Sequence, residues 1–496
     1  MASDIETVTR RPAGVLDIGS NSIRLVVYRS RSRAPVPIFN ERVICGIGRR
    51  LDKTGHLDAN GVKQALASLP RYAALSRAMG VEDLDIVATA ATREAADGAD
   101  FLAQVERMFG RPVSQLDGDE EARLGASGVL CGIPDADGIG GDLGGGSLEL
   151  ATLDKGVFGV GHSFPIGHLR LLTDLGAKQK ALSKRIDKVL GEADWLHDIS
   201  GRRFYAIGGT WRSIARLHMI QAGYPLRVIH NYTLRADRAA EFCKIIAGLS
   251  QASLSLTEAV SPQRAAALPV SAMVLQRLIK ILGPREVVFS ALGIREGILF
   301  DRLSDAEKTT DPLLLACQDI ADRENRFPPG GDDLAEWVAP LFAEESAAAR
   351  RLRMAVCLLA DIGWHEHPDY RAEQVYFRIL RLPLIAITHI EKAKVALAVY
   401  RRYGGNMDDH ALRAVNTLLD SEDIRWSRTL GDGLRLAETL SGGKPELLAG
   451  SGLQLGKRQL TLHIDPSMAD LVSDVVRTRL SQLARQLERK YRLDIK

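Results

Sequence analysis

The sequence predicts an α/β fold, followed by an all-helical region and a small α+β end. Three observations predict it. Two strand–turn–strand units with matching residues recur about 125 residues apart, buried strands alternate with helices as far as Asp301, and beyond Asp311 the apolar spacing is nearly all helical.

In chain order, the first apolar run is Gly14–Ile18, then Gly-Ser-Asn-Ser, then Ile23–Tyr28, which reads as strand, tight turn, strand. Residues 61–79 have helical spacing, Asp85–Ala90 reads as a buried strand, Asp100–Phe109 as a helix, and Glu120–Gly128 as the start of another. The second strand–turn–strand unit lies at Gly140–Leu153. A strand at Phe204–Ile207 runs into Gly208-Gly209-Thr210 and a helix from Trp211; Val287–Phe289 is a further strand and Gly293–Arg302 a helix. The polar segment Leu303–Asp311 ends at Pro312 and suits a linker. Helices are then expected at Pro312–Arg323, Asp333–Ala360, Ala372–Leu380, Ile390–Tyr403 and Asp408–Ser421. Gln459–Ile464 alternates like a strand, and Pro466–Tyr491 reads as one long helix.

At 496 residues the chain exceeds what one core supports, since single cores stop growing near ~250–300 residues. Four domains are expected, at residues 1–130, 131–305, 311–445 and 446–496. Hydrophobic content of 46% and charged content of 26% exclude extensive disorder. A net charge of +3, with no basic block in either half, argues against a nucleic-acid partner. The five dispersed cysteines contain no C-x-x-C pair, which fits free thiols in a reducing, cytoplasmic setting. The first residues lack the apolar core of a signal peptide, and no apolar stretch reaches 18 residues, so no membrane partner is expected.

The duplicated unit carries the chemistry. Residues 15–27 and 140–152 superimpose Asp17 on Asp142, Gly19 on Gly144, Ser22 on Ser147 and Leu25 on Leu150. Gly19, Ser20, Asn21 and Ser22 in one copy, and Gly144, Gly145, Gly146 and Ser147 in the other, are small enough for backbone N–H groups to approach phosphate oxygens. A carboxylate at the strand end does not welcome a phosphate by itself, so each Asp implies an intervening metal ion. Two such turns suggest two related halves that clamp a phosphate chain across a cleft.

The motifs Asp17-Ile-Gly-Ser-Asn-Ser-Ile-Arg24 and Asp142-Leu-Gly-Gly-Gly-Ser-Leu-Glu149 resemble the two phosphate loops of the exopolyphosphatase/guanosine pentaphosphate phosphatase family. That family is part of the superfamily of actin, sugar kinases and actin-like chaperones. Ala88-Thr-Ala-Ala-Thr-Arg93-Glu-Ala, Gly118-Asp-Glu-Glu121-Ala-Arg123-Leu, Phe164-Pro-Ile-Gly167, Ile207-Gly-Gly-Thr210 and Gly293-Ile-Arg295-Glu-Gly297 follow in the family's order. The resemblance implies duplicated actin-like (ASKHA, ribonuclease H-like) domains, then an all-helical HD-like domain and a small α+β C-terminal domain. It implies an exopolyphosphatase acting on inorganic polyphosphate, with pppGpp 5′-phosphohydrolase as the alternative. An actin-fold kinase and a non-catalytic phosphate sensor stand further off.

The resemblance also implies roles. Glu121 is the candidate general base, favoured over its neighbour Glu120 by the match to the family's motif. Asp142 and Glu149 are candidate ligands for Mg²⁺ (or Mn²⁺), with Asp17 joining through water. Arg24 and Arg93 are candidates for phosphate oxygens, because a guanidinium holds two oxygens at once. Gly208, Gly209 and Thr210 open a helix whose N–H groups can bind an anion; Arg264 serves either substrate, and Arg212 and Arg216 extend the positive track or face solvent. In the helical region Ala360 precedes Asp361 where an HD site needs His, so no second active site is expected; His365 and His367 read as loop residues. A homodimer is expected by the same resemblance.

Overall fold

In the computed structural model, the residues described are 11–173, 179–193, 195, 200–255, 257, 260–327 and 330–496. They form two compact units, which meet in sequence at Thr310 and Asp311.

The first unit is built on two sheets. Strands β1 (Ala13–Ile18), β2 (Ser22–Tyr28), β3 (Pro37–Ile44), β4 (Asp83–Ala88) and β5 (Ser114–Gln115) form one, in the order β3-β2-β1-β4-β5. Strands β6 (Gly138–Leu143), β7 (Leu148–Asp154), β8 (Val157–Phe164), β9 (Arg203–Ile207), β10 (Tyr232–Arg235) and β11 (Glu286–Phe289) form the other, in the order β10-β11-β9-β6-β7-β8. The sheets share one plan. In each, three consecutive strands run antiparallel, and the first of them pairs in parallel with a later strand, β1 with β4 and β6 with β9. Those two strands lie inside their sheets and are almost wholly buried, which is why they read as continuous apolar or small-residue runs.

The duplication extends to register. Asp17 lies opposite Arg24 in the first hairpin, and Asp142 opposite Glu149 in the second. Gly19 N–H donates to Ser22 O and Gly144 N–H to Ser147 O, both at 3.0 Å. One fold position therefore carries a basic residue in one copy and an acidic one in the other.

The helix Gly118–Gly132 opens with a capping box. Asp117 Oδ1 accepts from Glu120 N at 2.8 Å, and Glu120 Oε2 accepts from Asp117 N at 3.0 Å. This helix packs closely on the helix Ile294–Asp301: a Cβ at Gly297 would lie 1.9 Å from Leu124 O, so only glycine fits the contact.

Several elements differ from the sequence expectation. Strands β3 and β8 are edge strands with mixed exposure, and β8 contains two glycines, so neither shows a clean alternation. The expected helix Asp333–Ala360 is three elements, Gly331–Val338, a 3₁₀ turn at Ala339–Phe342 and Ala347–Leu358. Pro340 has no N–H to continue the first helix, and Ser346 caps the last by accepting from Ala349 N. The segment Asp408–Ser421 holds only short turns at His410–Leu412 and Arg413–Asn416; the long helix is Ser421–Ser441, restarted by the Asp420 cap. Pro466–Tyr491 is not one helix. It divides into a 3₁₀ segment Pro466–Leu471, a helix Asp474–Gln486 capped by Ser473, and strand β14 (Lys490–Ile495), which pairs with β13 (Gln459–Ile464) beside β12 (Ser451–Leu455).

In the second unit Asp361 accepts from Arg326 Nη2 at 2.7 Å and Arg402 Nη2 at 3.3 Å, and the same two arginines reach Glu438 at 2.8 and 3.0 Å. Arg326 also stacks on Trp364, 3.3 Å from the ring centroid. Guanidinium groups thus neutralise the carboxylate beside Ala360. Among the described residues, no cluster of three or more His, Cys, Asp or Glu is arranged to hold a metal by protein ligands alone. No described helix is long and apolar enough to cross a membrane.

Candidate active site

The two small-residue turns lie against each other. A Cβ at Gly146 would stand 2.9 Å from Ser20 Oγ, and one at Gly145 would stand 3.2 Å from Ser20 Cβ. Side chains here would push the turns apart. Together the turns line a cavity of about 190 Å³ in the first unit. Asp17, Glu121, Asp142, Glu149, Gly208, Gly209, Thr210, Arg24 and Arg264 line the same cavity.

One wall is acidic. Glu121 stands in the first turn of its helix and is only 3% exposed. Burial pushes its carboxyl up to about 7, and the negative charges of Asp142 and Asp17 add to this, while Arg93 opposes it. Burial likewise pushes Asp142 up to about 6. Glu149 is raised well above the usual carboxylate range by burial, then by the charge of Glu121, although Ser163 Oγ donates to it at 2.9 Å.

Glu120 points elsewhere: it is exposed and committed to the capping box. The Glu120→Gln variant, which can still accept at the N-cap, is expected to lose under about 1 kcal/mol of stability and to keep phosphate release within about twofold of the parent. Thermal unfolding and a phosphate-release assay check both.

Arg93 does not line the cavity. Its Nη1 donates to Glu121 Oε1 at 2.6 Å and to Leu116 O, so it holds the carboxylate from behind. Arg24 faces the cavity, with Nε donating to Asn40 Oδ1 at 2.8 Å. Arg264 Nη1 donates to Ser213 Oγ at 3.2 Å. Asp17 is ion-paired, accepting from Arg295 Nη1 at 2.7 Å. Thr210 is buried beside the cavity and its Oγ1 has no partner in the protein, leaving a hydroxyl donor for a ligand.

Four further lining residues stand out. Arg212, read from sequence as equally able to face solvent, is part-buried and lines the cavity, with Nη1 donating to Ala291 O at 2.6 Å. Arg295 belongs to the motif Gly293–Gly297, which by itself assigned it no role. His168 directly follows Gly167; burial pushes its imidazole down to about 4, so it is neutral at pH 7. Arg42 sits on β3, which the sequence did not reveal, and no motif marks it.

The donor set also bears on a metal. Asp142 and Glu149 are register neighbours and both are pushed up by burial; the charge of Glu121 adds to this at Glu149, while Arg212 and Arg295 oppose it at Asp142. Mg²⁺ takes oxygen ligands, typically one or two carboxylates completed by phosphate oxygens and water. An oxygen-only carboxylate pair beside two anion-binding turns fits that ion.

Residues 26–306 match the family model described as Ppx/GppA phosphatase family, and residues 313–493 match one described as exopolyphosphatase, C-terminal. The chain is 26% identical over 309 residues to Exopolyphosphatase 1 of Mycobacterium tuberculosis, covering 60% of this chain and 90% of that protein. It is 24% identical over 451 residues to Retrograde regulation protein 2 of Saccharomyces cerevisiae, covering 82% and 75%. Its fold is similar to the crystal structure of an exopolyphosphatase from Cytophaga hutchinsonii, with TM-score 0.55, 20% identity and 59% and 99% coverage. It is also similar to a Ppx/GppA phosphatase of Aquifex aeolicus, with TM-score 0.50, 22% identity and 59% and 100% coverage.

Proposed function

Because the chain belongs to the Ppx/GppA phosphatase family, we infer that it is an exopolyphosphatase, a hydrolase that cleaves the terminal phosphoanhydride bond of inorganic polyphosphate. The observation that carries the mechanism is Glu121, a buried carboxylate with a pKa near 7 at a cavity walled by two anion-binding turns. A base with such a pKa is half ionised at neutral pH, close to the optimum for proton transfer.

The terminal phosphoryl group rests on the backbone N–H groups of the turns at Gly19–Ser22 and Gly144–Ser147, with the Thr210 hydroxyl as a further donor. Arg93 fixes the Glu121 carboxylate, which takes one proton from a water molecule. The water oxygen bonds to the terminal phosphorus as the bridging P–O bond breaks, and the electron pair leaves with the shortened chain. Products are orthophosphate and a polyphosphate one unit shorter. Asp142 and Glu149 would hold a divalent cation, which supplies charge neutralisation at the phosphoryl oxygens.

The C-terminal family segment and the name of the mycobacterial relative favour polyphosphate over guanosine pentaphosphate. The test incubates the protein with Mg²⁺ and either long-chain polyphosphate or pppGpp and measures released orthophosphate. A higher kcat/KM on polyphosphate is expected; a higher value on pppGpp would sink this assignment. The same reading includes a cytoplasmic homodimer, an HD-like region at residues 311–445 without a metal centre, and a separate α+β domain at 446–496. Sedimentation velocity and cell fractionation check the first.

Cation binding has a pH signature. At pH 5 the raised carboxylates Asp142 and Glu149 hold protons that a metal must displace; by pH 7.5 Asp142 is ionised. Mg²⁺ is therefore expected to raise Tm more at pH 7.5 than at pH 5, measured by calorimetry. An equal rise at both would exclude these carboxylates as ligands.

A further inference from the structure

We propose that Arg42, together with Arg24 and Arg264, forms a subsite for the phosphates that follow the reacting one in a condensed phosphate chain. The proposal rests on the exopolyphosphatase reading and deepens it.

Register places Arg42 of β3 directly opposite Arg24 of β2, and both line the cavity with Arg264. Directly opposed residues on paired strands bring their Cβ atoms within about 5.5 Å, and like charges there repel. Among the described residues, the bonds of Arg24 and Arg264 go to the neutral oxygens of Asn40 and Ser213, and none of the three arginines has an ion pair. The nearby acids are already engaged: Asp17 bonds Arg295, and Glu296 accepts from Tyr28 Oη at 2.6 Å and Gly293 N at 3.0 Å beside the Arg295 charge. Burial, then neighbouring charge, brings Arg24 and Arg264 down to about 10: Arg295 acts first on Arg24, partly offset by Glu296 and Asp17, and Arg42 acts first on Arg264.

Such a group is built for an anion that the free protein does not contain. Each guanidinium offers a planar fork for two phosphate oxygens. The turns and Glu121 take the terminal phosphoryl group, which leaves the arginine trio for the singly charged internal phosphates. Substrate binding then relieves the repulsion between Arg24 and Arg42, and this relief selects condensed chains over orthophosphate.

The test uses Arg42→Ala, Arg42→Glu and Arg42→Lys in the full chain. For long-chain polyphosphate, Arg42→Ala is expected to raise KM about 10-fold, with kcat falling by less, as suits one charge-assisted contact. Arg42→Glu raises KM further, and Arg42→Lys recovers part of the loss. In a Glu121→Gln background, which slows turnover about 1,000-fold, tripolyphosphate raises Tm while Arg42 is kept, and raises it much less once Arg42→Ala is added. Without ligand, Arg42→Ala melts no lower than its parent, because it removes repulsion. An Arg42→Ala variant with unchanged KM and an undiminished tripolyphosphate shift overturns the subsite alone. If the parent neither releases orthophosphate from polyphosphate nor gains Tm from tripolyphosphate, the exopolyphosphatase reading fails and takes the subsite with it.

Discussion

Replacing Glu121 by Gln is expected to slow orthophosphate release from polyphosphate about 1,000-fold while making the metal-free protein more stable above neutral pH. The rate effect follows from removing a general base, which contributes roughly 10²- to 10⁴-fold. Gln keeps an oxygen that can accept from Arg93, so positioning survives and proton abstraction does not. The stability effect has a definite sign. The folded-state pKa of Glu121 is raised from 4.5 to about 7. Its contribution is fully present below pH 4.5 and is lost as pH rises through 7. Glutamine mimics the protonated carboxyl at every pH. The variant should therefore match the parent near pH 4 and exceed it by about 3 kcal/mol at pH 8, since each pKa unit corresponds to about 1.4 kcal/mol. Urea unfolding of both proteins at the two pH values separates the outcomes. Equal stability at pH 8 would mean that Glu121 is not held in a desolvated site. Full activity in the variant would remove it from the mechanism.

The second large effect concerns Arg295 and is mainly structural. Its guanidinium is largely buried, donates to Asp17 at 2.7 Å and stands next to the buried Glu296. Arg295→Met leaves two carboxylates without their cation, and breaking a buried pair in this way costs about 3–5 kcal/mol. The loss should appear as a lower urea midpoint for the unit ending at Thr310. Arg93→Met should cost less, because Arg93 is part exposed and Glu121 is already raised toward its neutral form. Similar losses from both replacements would show that Arg295 does not anchor the hairpin turn through Asp17.

The sequence revealed the parts of this molecule whose signal is local. The matching of Asp17 with Asp142 and of Ser22 with Ser147 needed only alignment of the chain with itself, and the structure places both turns at one cavity. The adjacent glutamates could be told apart by resemblance alone; the reason, a capping box that engages Glu120, lies in backbone geometry. Arg42 was invisible because its strand begins at Pro37, lies at a sheet edge and shows no strict alternation. The pairing of Arg295 with Asp17 joins residues 278 positions apart and leaves no trace in either motif. In the second unit, apolar spacing continued across Pro466–Tyr491, yet Asp465 and Ser473 cap separate segments, and Glu488 takes a left-handed conformation just before β14. Periodicity reports which face is buried. It does not report where hydrogen bonding stops and restarts.

The guanidinium of Arg24 and the carboxyl of Glu149, on the same rung of two copies of one hairpin, have a consequence for a polymer substrate. Polyphosphate reads the same from either end, so it has no sense of direction of its own. A clamp with two identical jaws would hold it equally well forwards or backwards. Divergence at that rung, and in the turns where Ser20 and Asn21 stand opposite Gly145 and Gly146, gives the clamp a head and a tail, and the protein, rather than the polymer, decides which way the chain lies. After each cut the remaining chain again ends in a terminal phosphate, and an advance by one repeat restores the starting arrangement. A single oriented seat therefore serves chains of any length.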